Sequence, residues 1–144
     1  MSARDKIHDA VKNSLIKDGW KITADPYVIK YDDVKLEADL AAERPLGAER
    51  DDRKIVVEIK SFLGPSPLYE LEGALGQYQI YSALLRVTNT ERELYLAISH
   101  IAYTNIFERK VVQLIMQQYR LALLVVDVQQ EEIVRWIEPA IGEP

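Results

Sequence analysis

The stretch Lys54–Lys60, KIVVEIK, decides how this chain folds. Isoleucine and valine fill four of its seven positions, which predicts a short buried β-strand. Glu58 and Lys60 occupy alternate positions and therefore project from the same face of the strand. Burying a charge without a partner costs several kcal/mol, so a carboxylate and an ammonium on an apolar strand are either a solvated ion pair at the strand end or part of a functional site. The opposite face of the strand carries the apolar side chains of Ile55, Val57 and Ile59.

The preceding segment, Val34–Ala41 (VKLEADLA), alternates apolar and polar residues and predicts a second strand. Its polar face carries Asp39, which lies beside Glu58 if the two strands are neighbours. Two adjacent carboxylates repel each other, and each raises the pKa of the other unless a cation lies between them. A divalent metal ion would relieve this repulsion, and Lys60 would add a fixed positive charge nearby. The arrangement is typical of a metal-dependent phosphodiesterase site.

These residues resemble a known family. Asp39 followed by Glu58-Ile59-Lys60 resembles the PD-(D/E)XK nuclease superfamily, although Ala38 stands where the superfamily name has proline. Gln77–Tyr81, QYQIY, matches the Gln-x-x-x-Tyr signature of RecB-type exonucleases within that superfamily. The chain is similar, more closely still, to the XisH family, or fdxN element excision controlling factors. The similar stretches cover nearly the full chain: RDKIHDAVKNSLIKDGWKIT, ADLAAE, IVVEIKSFLG, ALGQYQIY, ELYLAIS and VRWIE.

The resemblance implies an α/β fold with a restriction endonuclease-like αβββαβ core, in which helices flank a mixed central sheet. It implies that Asp39 and Glu58, with the backbone carbonyl of Ile59, hold Mg²⁺ or Mn²⁺. Lys60 would position or deprotonate the attacking water, and Gln77 and Tyr81 would orient the substrate strand or the lysine. The implied catalytic residues are therefore Asp39, Glu58, Lys60, Gln77 and Tyr81.

Three further residues have two interpretations each. His8 and Asp9 lie beside the apolar stripe of a predicted helix over residues 4–18. A boundary histidine and a solvated aspartate are the ordinary interpretation, and the alternative is that one of them reaches the metal site, as first-helix acidic residues do in some related resolvases. Glu43 continues the alternation of Asp39 and is either an acid close to the site or part of a salt bridge in the polar loop over residues 43–53.

The remaining pattern predicts one domain over residues 1–144, with a disordered tail from about residue 139. Helices and strands follow one another in the order of an α/β domain. The predicted helices cover residues 4–18, 68–85 and 103–119, and the predicted strands cover residues 20–24, 27–31, 34–41, 54–60, 93–99, 121–128 and 132–137.

Composition limits the chemistry of the chain. Its 144 residues are 48% hydrophobic, which is sufficient for one domain with a core. The absence of cysteine excludes disulfides and thiolate metal sites, and two histidines disfavour structural zinc. Any metal must therefore be held by oxygen atoms. No apolar run approaches the roughly 20 residues of a membrane span, and the first residues lack the apolar region of a signal peptide, so we expect a cytoplasmic protein that does not enter a membrane.

The net charge of −5 predicts weak DNA binding by the isolated chain, because contacts of basic residues with phosphate dominate such binding. Two hypotheses follow. In the first, the chain is a metal-dependent DNA endonuclease or exonuclease. In the second, which the XisH resemblance implies, it is an accessory factor in excision of a DNA element by site-specific recombination and binds a companion small excision factor. A homodimer is expected because nucleases that cut two strands are usually dimers, and the sequence leaves open whether DNA or RNA is bound.

Overall fold

The computed structural model of the chain describes residues 2–45 and 52–139. The helices are α1 (Ala3–Lys17), α2 (Pro67–Thr88), α3 (His100–Ala102) and α4 (Lys110–Tyr119), and a π-helical turn (Tyr103–Phe107) follows α3 directly. The strands are β1 (Lys21–Ala24), β2 (Tyr27–Tyr31), β3 (Val34–Ala38), β4 (Leu40–Arg44), β5 (Arg53–Ile59), β6 (Arg92–Ser99), β7 (Leu123–Asp127) and β8 (Glu132–Ile137).

Six strands form one mixed sheet in the spatial order β1-β4-β5-β6-β7-β8. Strands β1, β4 and β5 pair antiparallel, β5, β6 and β7 pair parallel, and β8 is antiparallel to β7. Strands β2 and β3 form a separate two-stranded sheet. The predicted mixed central sheet flanked by helices is confirmed. Along the chain, the first elements of this arrangement are α1, the three strands β1, β4 and β5, then α2 and β6. The β2–β3 hairpin is inserted between β1 and β4.

Both faces of the sheet are buried, because its central strands alternate side chains between two cores. Ile55 and Val57 of β5 pack in one core with α1, whereas Val56 packs in the other core with α2. The side chains of β7 alternate in the same way: Leu124 packs in the core with α1, and Val125 packs in the core with α2. The nearly continuous apolar run of residues 121–128 is typical of such a doubly covered strand.

The prediction of one strand over residues 34–41 is wrong. Strand β3 ends at Ala38, the chain bends at Asp39, and β4 begins at Leu40. Ala38 and Leu40 would share a face in one continuous strand, yet they pack in opposite cores. The reason is topological, because β3 pairs only with β2 in the hairpin while β4 lies between β1 and β5 in the main sheet. The chain changes sheets at Asp39.

The prediction of one helix over residues 103–119 is also wrong. The π-helical turn ends at Phe107, and α4 begins only at Lys110. The interruption rotates the second half of the segment relative to the first, so Leu114 and Val111 are 55% and 50% exposed instead of facing the core. Residues of the segment that are buried are Ile106, Phe107, Val112 and Met116, and Ile115 is partly buried.

The polar loop predicted over residues 43–53 is shorter than expected. Glu43 and Arg44 belong to β4, and Arg53 begins β5. Residues 46–51 lie outside the described residues, as do residues 140–144 of the predicted disordered tail. In the part of the chain that is described, no helix combines the length and apolar character needed to span a membrane.

Candidate functional site

A cavity of about 360 Å³ opens at the carboxyl end of β5. Elements that are distant in sequence form its walls: α1, the bend at Asp39, and the end of β5 with the two residues after it. The pairing of Leu40 with Val57 brings the bend next to the end of β5. The residues that line the cavity are Asp5, Ile7, His8, Asp39, Glu58, Ile59, Lys60 and Ser61.

The backbone of the motif strand holds the Asp39 side chain in place. Oδ2 of Asp39 accepts a hydrogen bond of 2.7 Å from the backbone N–H of Ile59. A carboxylate that accepts a backbone hydrogen bond is fixed in orientation. The bend that interrupts the predicted strand therefore directs the Asp39 carboxylate at the strand carrying Glu58 and Lys60.

Glu58 is a buried carboxylate with an incomplete set of partners. The residue is 6% exposed, and its Oε1 has no hydrogen-bond partner among the described residues. Oε2 lies 3.7 Å from Nζ of Lys60. Burial and then the charge of Asp39 raise the pKa of Glu58 to about 7, while the ammonium of Lys60 opposes that rise. A buried oxygen without a partner destabilises the fold, so Glu58 is suited to binding a proton or a cation.

The oxygen atoms of Asp39 and Glu58 are the hard donors that Mg²⁺ and Mn²⁺ prefer. Among the described residues, no three His, Cys, Asp or Glu side chains are grouped so that they could hold a metal ion. A closed zinc-type site is therefore not formed by those residues. Two carboxylates fit Mg²⁺, which keeps several water ligands and is commonly held by one or two carboxylates together with substrate phosphate.

Gln77 and Tyr81 lie behind the bend and hydrogen-bond to each other. Nε2 of Gln77 donates to Oη of Tyr81 at 2.9 Å, and the Tyr81 hydroxyl donates to the carbonyl of Glu37 at 3.0 Å. Tyr81 is buried, and burial raises its pKa. The pair thus connects α2 to the backbone two residues before Asp39. The structure explains both polar groups as supports of the bend, and their predicted action on the substrate or on Lys60 stays a prediction.

The side chains of His8 and Asp9 lie beside different cavities. His8 lines the cavity, and its Nε2 lies 3.0 Å from Oδ1 of Asp25, whose Oδ2 accepts a 2.9 Å hydrogen bond from Nζ of Lys12. Asp9 lies beside a different depression, which Glu131 also lines. His8 is therefore the member of the pair that is placed to reach the cavity.

Glu43 does not line the cavity. Its Oε2 forms an ion pair of 3.0 Å with Nη2 of Arg92, which agrees with the salt-bridge interpretation, although Glu43 lies on β4 and not in a loop. Sequence reasoning missed Asp5 and Asp25. Asp5 lies three residues before His8, a helical spacing that places both side chains on one side of α1 and would have indicated it. Asp25 is 17 residues from His8, and no local pattern indicates that contact.

The chain is similar to a known family over most of its length. The model of a family described as XisH protein matches residues 1–134. The crystal structure of an XisH family protein from Nostoc punctiforme PCC 73102 is 39% identical, covers 93% of this chain and 100% of its own, and superposes with a TM-score of 0.85. The crystal structure of an fdxN element excision controlling factor protein from Anabaena variabilis is 40% identical to this chain and superposes with a TM-score of 0.84. The match covers 94% of this chain and 100% of the other. No curated protein matches the chain.

Proposed function

The chain belongs to the XisH family, and on that premise we propose that it takes part in excision of a DNA element by site-specific recombination, with a metal-dependent site that acts on DNA phosphodiesters. The similarity to an fdxN element excision controlling factor supports the role in excision. The proposal of a metal-dependent site rests on one observation: Asp39, Glu58 and Lys60 line the same cavity. The same three residues support placing the chain in the PD-(D/E)XK superfamily.

In this proposal Asp39 and Glu58, with the backbone carbonyl of Ile59, hold Mg²⁺ or Mn²⁺. The chemistry that such a cation supplies is a lowered pKa of bound water and stabilisation of the negative charge on phosphate. The hydrogen bond from the Ile59 N–H keeps Asp39 in its orientation, so no rearrangement of that side chain is needed on binding. A cation held there would give the buried Oε1 of Glu58 the partner that it lacks among the described residues.

Lys60 acts on the phosphodiester directly. Its side chain is 35% exposed and reaches the cavity, while the Glu58 carboxylate 3.7 Å away keeps the ammonium group at the site. The ammonium donates hydrogen bonds to a non-bridging phosphate oxygen, on which charge increases during attack, and orients the attacking water. The water oxygen forms the new bond to phosphorus and loses a proton to solvent, while the bond from phosphorus to one ester oxygen breaks and that oxygen takes up a proton from solvent. Lysine is not a metal ligand in this arrangement.

A second candidate function is that of a catalytically silent accessory protein that binds a companion small excision factor. The net charge of −5 favours it, because a free DNA-cutting enzyme usually carries a basic surface. The two candidates differ in whether the purified chain breaks DNA.

A cleavage assay distinguishes the two functions. The purified chain is incubated with linear, branched and single-stranded DNA, with Mg²⁺, with Mn²⁺ and with a chelator. We expect weak, metal-dependent cleavage that falls steeply as the salt concentration rises, because the acidic chain makes few phosphate contacts. If no substrate is cut with either metal at low salt, the accessory function replaces the enzymatic one.

Replacing Asp39 with asparagine is expected to abolish stabilisation of the chain by Mn²⁺. The amide oxygen keeps an acceptor for the Ile59 N–H, but one of the two anionic ligands is lost. For the parent, a ligand at about 100 times its Kd stabilises the folded state by about 2.7 kcal/mol, which thermal denaturation with and without millimolar Mn²⁺ detects as a rise in Tm. Without metal, the variant should be as stable as the parent or more stable, because a charge beside Glu58 is removed.

The matched control for this experiment is Asp33→Asn, which removes an exposed carboxylate in the β2–β3 turn. It should keep the full Mn²⁺-dependent rise in Tm. If the parent shows no rise, or if Asp39→Asn keeps the rise, the two-carboxylate metal site is wrong.

Glu58 is expected to make stability depend on pH. Its folded-state pKa is raised from 4.5 to about 7, so proton binding stabilises the folded chain fully below about pH 4.5, and this stabilisation is lost as the pH rises through 7. Between these values the metal-free parent should lose up to about 1.4 kcal/mol of unfolding free energy per pH unit relative to Glu58→Gln. Urea denaturation across that range measures the difference. Glu91→Gln, at an exposed ion pair with Lys54, should follow the parent, and parallel curves for parent and Glu58→Gln would contradict the raised pKa.

A further inference from the structure

Helix α2 presents an apolar stripe to solvent on the side opposite its buried face. The buried residues of the helix are Leu71, Ala74, Tyr78, Tyr81 and Leu85. The stripe consists of Tyr69, Gly73, Gly76, Ile80, Ala83 and Val87, all of them exposed. Its spacing alternates between four and three residues, which is the repeat of a coiled-coil seam. Tyr69, Ile80 and Val87 are 74%, 56% and 65% exposed, so large apolar side chains at both ends and the middle of the stripe lack cover in the single chain.

Within the described part of the chain, the two glycines of the stripe have no role in packing, because a Cβ atom added at Gly73 or at Gly76 would meet nothing within 4 Å. Glycine inside a helix lowers helix stability, and here neither a positive φ nor a close neighbour among the described residues requires it. Small residues on an exposed helix face allow the backbone of another helix to approach closely.

The charges beside the stripe are self-complementary. Glu72 lies near the amino end of α2 and Arg86 near its carboxyl end, both are exposed, and no salt bridge within the described residues involves either one. A second copy of α2 in antiparallel orientation places Glu72 opposite Arg86 at each end. The same orientation places Ile80 opposite its own copy and Gly73 opposite Val87, a small residue against a large one. A parallel copy would place like charges together, which is unfavourable.

We propose that two copies of the chain associate through the stripe of α2, packed antiparallel about a two-fold axis near Ile80. With the axis near Ile80, residues 72–88 of the two helices overlap over about 25 Å, so the contact covers the stripe from Gly73 to Val87. Every contact away from the axis occurs twice, as in other two-fold interfaces. The cavity at the end of β5 is lined by residues outside α2, so variants in the stripe leave the proposed DNA-cleaving residues unchanged.

Analytical ultracentrifugation of the full chain over a range of concentrations tests the interface. The parent should be a dimer, and Ile80→Glu should raise the dimer Kd by about 100-fold, because a charge replaces the central apolar contact. Ile16→Glu is the matched control, at a 51% exposed isoleucine on α1, and should leave the Kd unchanged. Glu72→Arg and Arg86→Glu should each weaken the dimer, and combining them should restore it. A monomeric parent, or a Kd that Ile80→Glu does not change, overturns the proposal.

Cysteine cross-linking tests the orientation, because the chain contains no cysteine of its own. Ile80→Cys should form a disulfide-linked dimer on oxidation, since residue 80 lies beside the two-fold axis. Gly73→Cys should not cross-link to itself, because 14 residues of helix separate the two thiols by about 21 Å, whereas a disulfide spans Cα atoms less than about 7 Å apart. Self-cross-linking of Gly73→Cys would show a parallel pair and overturn the antiparallel arrangement. Circular dichroism of each variant establishes that it is folded.

Discussion

Replacing Lys60 with methionine is expected to lower the rate of metal-dependent DNA cleavage by about 100- to 1,000-fold. Methionine keeps much of the length and apolar volume of the side chain but removes the ammonium group that donates to the phosphate. Metal affinity should stay close to that of the parent, because lysine supplies no metal ligand. The pKa of Glu58 should rise further, since the Lys60 charge is what opposes its rise in the parent. Cleavage rates and Mn²⁺-dependent Tm shifts measure the first two effects.

The control for this experiment lies at the other end of the same strand. Lys54→Met removes an ammonium that pairs with Glu91 at the surface, and exposed ion pairs contribute little to stability. This variant should cleave DNA as the parent does. If Lys60→Met retains the cleavage rate of the parent, the activity comes from a contaminant or from another site, and the accessory function becomes the better explanation. Loss of cleavage together with loss of metal binding would instead indicate that Lys60 supports the geometry of the carboxylates.

Replacing Phe107 with alanine is expected to lower the unfolding free energy by about 3–5 kcal/mol. The Phe107 ring is fully buried and meets the ring of Phe62 edge to face, with centroids 5.4 Å apart. Phe62 lies two residues after Lys60 and has a positive φ of 53°, which is uncommon for a residue other than glycine. The ring contact therefore stabilises both the core and the segment that follows the motif strand. Urea denaturation measures the loss.

Leu114→Ala is the comparison that tests the interrupted helix. Leu114 is 55% exposed in the structure, so its truncation should change the unfolding free energy by no more than about 0.5 kcal/mol. In an uninterrupted helix over residues 103–119, Leu114 would face the core and its truncation would be costly. Comparable losses for Phe107→Ala and Leu114→Ala would contradict the break between the π-helical turn and α4.

The local sequence pattern is sufficient to predict most strands and their faces. In β5 the alternation of Ile55, Val56 and Val57 divides these side chains between two cores, because the period of a strand is two wherever the chain is extended. The same rule accounts for the doubly buried β7. Glu58 and Lys60 could be identified as candidate site residues because charge on an otherwise apolar strand is costly. Asp39 lies near them because β4, which begins at the next residue, pairs with β5, and because the bend turns the Asp39 carboxylate toward that strand.

The tertiary structure decided what depends on contacts between distant residues. The bend at Asp39 exists because the chain leaves the hairpin for the main sheet, and an alternating pattern contains no signal for a change of sheet. The break before α4 likewise follows from packing, since the apolar residues on both sides also fit one helix. The contact of His8 with Asp25 arises only when α1 packs beside the residues that follow β1, and the burial of Glu58 arises only when α1, the bend and β5 meet around one cavity. Periodicity fixes which face a side chain occupies, but the elements that surround it set its partners, its burial and its pKa.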